Sequence, residues 1–394
     1  IINGFSLDLN SRFSNIISNQ FLVTYTTIKD MRGSPSSPFP FIDILYGRDD
    51  EGVPIIEPYI SAGYELFTWN NGVNNNKFSI TDNLTLYSGS HKITAGLNYE
   101  YQMANNSYMR NGTGYYRYAS IDEFLNQAAP IDFALDYGYN GEQNPTAQVA
   151  FHQIGAYGQD EWNVSPQFKL TYGLRADYIA YVDDLIRNNA IYDLDFGGRK
   201  IDTGKWPTPK VQLSPRVGFT YDFFDDNSLK LRGGTGIFTG RLPLVFFTNM
   251  PTQGGMVKGI YTATTTYRNG QIESVDPALA SLAGKMITNV DEMISHLGLQ
   301  NTISPEQGTL DNNLLAGVDP DFKMPQVWKS SLAVDYQLPT SFPFSVTVEG
   351  VFTKKLNDVM LINYDLKDPN DTWQRFNGPD DRYIYPVRSE LRYN

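Results

Sequence analysis

The stretch Ile93-Thr-Ala-Gly-Leu-Asn-Tyr-Glu-Tyr-Gln-Met103 decides the fold class of this chain. Its odd-numbered positions are apolar or aromatic, and the even-numbered positions between them hold Thr, Gly, Asn, Glu and Gln. An alternation with period two is typical of a β-strand with one apolar and one polar face. Its length falls in the range of about 9–11 residues that a tilted strand needs to cross a membrane.

Similar stretches recur along the chain in pairs, so we predict ten membrane-length strands. Sandwich strands in soluble proteins alternate in the same way but are usually shorter. The predicted strands are Phe5–Phe13, Gln20–Lys29, Lys77–Tyr87, Ile93–Met103, His152–Asn163, Phe168–Tyr178, Leu213–Phe223, Leu229–Thr239, Gln326–Gln337 and Phe344–Lys354.

Short and long connections alternate between these strands. The short ones are rich in residues that suit turns, and they are Ser14–Asn19, Ser88–His91, Val164–Gln167, Phe224–Ser228 and Leu338–Pro343. Compact soluble domains rarely contain structureless loops as long as the others. The long connections are Met31–Asn76, Ala104–Val149, Ala180–Gln212, Gly240–Pro325 and the tail after Lys355.

The alternation of short and long connections between ten strands predicts an all-β protein. We expect a large antiparallel transmembrane β-barrel with short periplasmic turns and long extracellular loops. Aromatic residues form 14% of the chain, which suits the girdles of a barrel at the two membrane interfaces, although a sandwich core would also use them. The absence of cysteine excludes a disulfide scaffold and a thiolate metal site. We therefore expect an outer membrane protein of a Gram-negative bacterium.

The alternation also predicts which face of the barrel each side chain occupies. We expect Leu97, Tyr99, Leu170, Leu174, Val217 and Phe219 to face lipid or its boundary, and Glu100, Arg175, Asp177 and Arg216 to face the lumen, because a charge in lipid is costly. Of the adjacent Asp160 and Glu161, one should line the lumen and the other should lie in the interface beside Trp162. The aromatic residues expected in the girdles are Tyr25, Tyr87, Trp162, Tyr178, Tyr221, Trp328, Tyr336 and Phe352.

Several strands resemble those of TonB-dependent receptors. The segments Ile154–Trp162 and Leu170–Asp177 are similar to that family's Tyr-x-Gln-Asp strand, turn and Tyr-Gly-Leu-Arg-x-Asp strand, and Leu213–Phe219 is similar to its Ser-Pro-Arg-x-Gly strand. Leu231–Arg241 and Pro325–Trp328 resemble the Oar-like branch found in Bacteroidota. The resemblance extends from about Lys77 to Lys355 and omits the loops.

The resemblance implies ligand import, in which loops capture a scarce ligand and a plug gates the lumen under the action of TonB. It also implies that residues 1–394 are one partial domain, about ten strands from the middle of a 22-stranded barrel. The family's plug, TonB box and C-terminal strands are absent from this sequence, so we expect a fragment. The alternative is a barrel without transport, an adhesin or assembly partner whose loops bind other proteins.

The chemical inventory argues against an enzyme. None of the three histidines has metal-ligand spacing with a second His or Cys, and no nucleophile lies beside His152. The net charge of −12 makes nucleic acid an unsuitable partner. We expect no cofactor and no metal, although calcium bound by acidic loops stays open. The expected partners are outer membrane lipid, TonB through the plug region, and a surface lipoprotein or another outer membrane protein.

The loops contain sequences that predict folded structure. Ser120 with Glu123 has capping-box spacing, Asp276-Pro277 can begin a helix, and Thr288–Asp291 can begin another that ends near Gly298. Aromatic rings beside Arg suit sugars, peptides or aromatic chelates, and the alternative is that the rings only pack the loops together. The candidate ligand-binding residues are Arg110, Tyr115, Tyr116, Arg117, Tyr118 and Arg241.

Overall fold

The computed structural model describes residues 1–241, 245–268, 270–305, 308, 316–367, 373–384 and 391–393. Within these ranges, no helix is long and apolar enough to cross a membrane. The strands and helices described are, in chain order, β1 (Ile2–Arg12), β2 (Ile17–Met31), β3 (Phe41–Leu45), β4 (Pro58–Ala62), β5 (Gly72–Ser88), β6 (His91–Ser107), β7 (Tyr115–Tyr118), α1 (Ile121–Leu125), β8 (Asp132–Gly138), β9 (Ala147–Asn163), β10 (Phe168–Tyr181), α2 (Asn189–Tyr192), β11 (Gln212–Asp222), β12 (Leu229–Thr239), α3 (Val245–Thr252), β13 (Lys258–Arg268), β14 (Gln271–Val275), α4 (Ala278–Ser281), α5 (Val290–His296), β15 (Gln326–Leu338) and β16 (Phe344–Asn357).

Ten long strands form one antiparallel sheet, which we call the wall. Its order is β1-β2-β5-β6-β9-β10-β11-β12-β15-β16, and every neighbouring pair is antiparallel. The ten predicted strands are all confirmed. The ladder continues beyond several of the predicted ends, because backbone pairing extends past the residues whose side chains alternate.

The wall has one polar face, which in a closed barrel lines the lumen. The register places Glu100 opposite Gln153 and Ser79, and it places Arg216 opposite Gly173, which lies on the same face as Arg175 and Asp177. Several apolar side chains of the opposite, outer face are exposed, among them Leu97, Leu174 and Val217. Tyr87 is paired with Lys92 on the polar face, so its assignment to an outer girdle is wrong.

Six shorter strands form a second sheet, which we call the cap. Its order is β14-β13-β8-β7-β3-β4, and β3 pairs with β7 in parallel. The strands come from three different loops of the wall, so these loops fold as one unit at the end opposite the short turns. Its buried core is Ile42, Ile44, Tyr116, Tyr118, Phe133, Leu135, Tyr137, Tyr139, Ala263, Leu279, Leu282, Ile287, Met293 and Ile294.

The helices that were predicted within the loops begin where their capping residues indicate. The side chain of Ser120 accepts a hydrogen bond from the Glu123 amide at the start of α1. At α5 the N-cap is Asn289, which accepts from the Glu292 amide and so takes the role expected near Thr288. The cap strands were not predicted, because short strands that pair across long chain separations show no membrane-length alternation. Helices α2 and α3 were not predicted either.

Candidate functional site: the polar face and the mouth of the wall

The loop that follows β12 folds inward over the polar face. Helix α3 packs against β6 and β9, where Phe247 and Met324 join Val149 in a buried cluster. Val149 lies on the polar face, because it is in alternation with Gln153. The rings of Tyr181 and Trp206 stack at 5.2 Å and extend this cluster. The chain's own loops therefore cover part of the polar face at the end of the wall where the long loops begin. We call this end of the polar face the mouth of the wall.

Glu100 is the most buried charge on the polar face, with 2% of its side chain exposed. Its Oε2 lies 2.9 Å from Lys77 Nζ and 2.9 Å from a guanidinium nitrogen of Arg241. Its Oε1 accepts a hydrogen bond from Gln102. Both oxygens are therefore satisfied, and the buried carboxylate holds two cations in place.

Arg241 reaches Glu100 from a distant part of the wall. β12 and β6 are four strands apart in the sheet, which on a flat sheet is roughly 19 Å at about 4.8 Å per strand. The ion pair of 2.9 Å therefore requires a curved wall and a loop that runs inward from Gly240. Curvature in this direction is what a barrel needs in order to close.

The other predicted lumen residues share this face. Arg175 makes a bidentate pair with Asp177, with its shortest contact at 2.6 Å, and its guanidinium lies over the Tyr157 ring at 5.5 Å. Asp177 also accepts from Gln153 at 3.4 Å. The exposed Arg216 lies over the Phe238 ring at 5.1 Å.

Asp160 and Glu161 lie on opposite faces near the short-turn end. Glu161 is on the polar face between Lys92 and Lys169, at 2.9 and 2.8 Å. Asp160 is on the outer face, where it accepts from Tyr172 at 2.9 Å and contacts His91 at 2.7 Å. The imidazole of His91 stacks on Trp162 at 5.2 Å. This polar and aromatic group suits a membrane interface.

Two of the candidate ligand-binding rings lie inside the cap. Tyr116 is 0% and Tyr118 is 3% exposed, and the hydroxyl of Tyr116 donates to the Ile287 carbonyl at 2.8 Å. Burial raises the pKa of Tyr118 to about 12 and raises the pKa of Tyr116 further. In this structure both rings pack the cap, and neither offers a surface to a ligand.

Tyr115 and Arg117 lie on the other side of β7 and are already bound within the cap. Arg117 binds Asp43 at 2.9 Å and Asp132 at 3.2 Å, and Tyr115 donates to Asp43 at 3.3 Å. Burial raises the pKa of Asp132, and Arg117 partly opposes this rise. Arg110 is exposed, with its guanidinium 5.1 Å from the Phe67 ring centre. Of the six candidates, Arg110 and Arg241 thus present the most accessible groups.

Sequence reasoning missed Lys77 as a member of the Glu100 cluster. The turn before His91 sets the β5–β6 register, which places Lys77 opposite Gln102 and diagonal to Glu100, so the signal was present in the hairpin. No such signal links Arg241 to Glu100, because their separation in sequence contains four wall strands and several loop elements. Among the described residues no three His, Cys, Asp or Glu side chains converge on a metal site, and loop-bound calcium stays a prediction.

Comparison with known proteins identifies the family. The model of the outer membrane beta barrel domain matches residues 2–393, whereas no curated protein sequence matches the chain. Similar solved structures include the copper transporter OprC, with 12% identity over 90% of this chain and 48% of that chain and a TM-score of 0.40. Another is the closed form of the ferric-catecholate import receptor Fiu from E. coli K12, with 10% identity, 88% and 40% coverage and a TM-score of 0.38.

A third is the ferric yersiniabactin uptake receptor FyuA from Yersinia pestis, with 7% identity, 91% and 43% coverage and a TM-score of 0.37. The chain spans about half the length, or less, of the solved structures it matches. The family match extends over nearly the whole sequence, and it agrees with the ten-stranded wall. This chain belongs to the outer membrane beta barrel domain family and lies in the outer membrane of a Gram-negative bacterium.

Proposed function

We propose that the chain is the ligand-binding half of a TonB-dependent outer membrane importer of the Oar-like type. The observation that supports this most directly is the cap, because three loops of the wall join in one folded sheet above a charged polar face. Folded loops on a rigid scaffold are where binding residues concentrate. The strand motifs from Ile154 to Trp328 resemble those of TonB-dependent receptors. This resemblance supports the part of the proposal that concerns energy from TonB.

The chemistry proposed is binding and gating rather than bond formation. Loops capture the ligand outside, the inward-folded loop with α3 lines the mouth, and a plug seals the lumen until TonB displaces it. Arg110 and Arg241 are the proposed ligand contacts among the loop candidates, since the two residues keep accessible guanidinium groups.

The test removes part of the cap and keeps the wall. Deleting residues 276–299 removes α4 and α5, which supply Leu279, Leu282, Met293 and Ile294 to the cap core. We expect a heat-resistant barrel in the membrane that no longer supports growth on the natural ligand. Shortening the hairpin at Gln271–Val275, an exposed edge strand, is the matched control. Full growth of the α4–α5 deletion strain would contradict the proposal, as would uptake that continues in a strain without TonB.

A second candidate function is the capture of another protein, such as a surface lipoprotein. The observation that favours it is the edge of the cap at β4, which among the described strands pairs only with β3 and whose five residues are all exposed. Tyr46 and Tyr59 meet there edge to face at 5.2 Å, beside the exposed Ile55 and Ile56. An exposed apolar group outside the membrane is typical of a protein-binding surface, and a stable complex isolated from the native membrane would support this candidate.

A further inference from the structure

The Glu100 cluster consists of Lys77, Glu100 and Arg241. It holds one anion and two cations, but only the cations are exposed to a solute. Lys77 has 38% and Arg241 has 52% of its side chain exposed, whereas Glu100 has 2%. A solute in the mouth of the wall therefore meets two cations, and the carboxylate that neutralises part of their charge lies behind them. This positive spot exists in a chain with a net charge of −12.

The cluster is also held in a fixed geometry. Glu100 uses one oxygen for both cations, at 2.9 Å each, and its other oxygen accepts from Gln102. Lys77 comes from a wall strand and Arg241 from the start of the inward-folded loop, so the two groups approach one point from different parts of the molecule. Charged donors fixed in advance bind an anion with little loss of side-chain entropy.

We propose that Lys77 and Arg241 form a binding site for an anionic solute bearing carboxylate or phosphate groups. The guanidinium of Arg241 supplies paired donors for a planar oxyanion, and Lys77 supplies a point charge beside it. Glu100 holds both cations at the site. This inference rests on the proposed function, because it names the class of ligand that the importer would take.

The opposing interpretation is an ion pair that only ties the loop to the wall. A structural tie needs no accessible cation, and it makes no distinction between anions and neutral solutes. The two interpretations therefore differ in whether anion affinity depends on Lys77 and Arg241 when the barrel remains folded.

The experiment titrates citrate and inorganic phosphate into the full-length protein in detergent by calorimetry, at constant ionic strength. We expect citrate to bind the wild type, and each of Lys77→Gln and Arg241→Gln to weaken its affinity at least about tenfold, the size of one lost charge-assisted hydrogen bond. Arg241→Lys should retain part of the affinity. Heat-resistant migration of each variant in gels shows that the barrel is folded.

Arg232→Gln is the matched control, because Arg232 is a cation of the same face, 41% exposed and paired with Asp335 at 2.8 Å. It should bind citrate as the wild type does. The proposal is overturned if the wild type does not bind citrate, if Arg241→Gln binds it equally well, or if Arg232→Gln weakens binding to the same extent. Uptake compared with and without TonB tests the proposed function separately, because it does not depend on which groups bind the ligand.

Discussion

Leu174 and Gly173 are adjacent in β10 but lie on opposite faces of the wall. Leu174 is 52% exposed on the outer face, where an apolar side chain suits lipid. Gly173 lies on the polar face, and a Cβ there would be 2.7 Å from the Gly158 carbonyl oxygen and 3.1 Å from Gln159 Cβ. Alternation alone makes Gly173 the natural site for a lumen-facing substitution. The close approach of β9 leaves no room for one.

At the residue scale we predict that Leu174→Arg impairs barrel assembly far more than Thr171→Arg does. The first places a charge against lipid, which costs roughly 2–4 kcal/mol near the midplane. The second lies on the polar face opposite Glu161. The measurement is the fraction of heat-resistant barrel in the outer membrane at equal expression. Equal fractions for the two variants would contradict this facing of β10, and a larger loss for Thr171→Arg would show that it is reversed.

At the element scale the cap is held together by contacts between loops as well as by strand pairs within each loop. Lys258 of β13 and Asp136 of β8 form an ion pair of 2.7 Å with 4% and 3% of their side chains exposed. Lys258 also donates to the Tyr108 carbonyl at 2.8 Å, so the buried charge has several partners. Removing one member of such a pair destabilises strongly, because the other charge stays buried. The cap should therefore unfold as one unit.

The buried tyrosines predict that the cap unfolds in alkali. Burial raises the pKa of Tyr118 and Tyr137 from 10.0 to about 12. A raised pKa in the folded state stabilises the cap fully below pH 10, and this contribution is lost as the pH rises from about 10 to about 12. Tyrosinate absorbance and near-ultraviolet circular dichroism should change together in this window, while the far-ultraviolet signal of the wall persists.

Tyr118→Phe is the control for this transition, because it keeps the ring and removes the titrating hydroxyl. The loss of structure should then move to higher pH. Tyrosines that all titrate near pH 10 without any change in near-ultraviolet dichroism would contradict the burial of these rings.

At the scale of the whole molecule, the wall separates two kinds of connection. Neighbouring strands of the wall are antiparallel, so its five short turns share one end and the cap strands lie at the other. Short turns on the periplasmic side and folded loops outside are typical of outer membrane barrels. The Lys77–Glu100–Arg241 cluster lies on the polar face between these ends.

We predict opposite labelling from the two ends in intact cells. The chain has no cysteine, so Ser90→Cys, in an exposed short turn, and Glu51→Cys, in an exposed loop, each provide a single reactive thiol. A membrane-impermeant maleimide should label position 51 in intact cells and position 90 only after the outer membrane is permeabilised. Equal labelling of both positions from outside would refute this topology.

The sequence by itself determined the strands of the wall, its short and long connections and, apart from Tyr87, the faces predicted for its side chains. The membrane-length strands from Phe5 to Lys354 follow from alternation with period two, which is clearest in Ile93–Met103, Phe168–Tyr178 and Leu213–Phe223, and from the spacing of the turns between them. One face must be apolar to contact lipid, and the other is free to be polar. The helices at Ser120 and Asn289 follow from local capping. These features depend on residues that are near one another in the chain.

Only the tertiary structure decided which groups the loops bring together. The β3–β7 pairing joins residues in parallel across two wall strands, the rings of Tyr116 and Tyr118 are enclosed by helices from another loop, and Arg241 meets Glu100 across four strands. Such contacts depend on sheet curvature and on loop closure over long separations, which leave no periodic signal in the residues themselves. The physical reason is that burial and ion pairing act through space, whereas alternation acts along the chain.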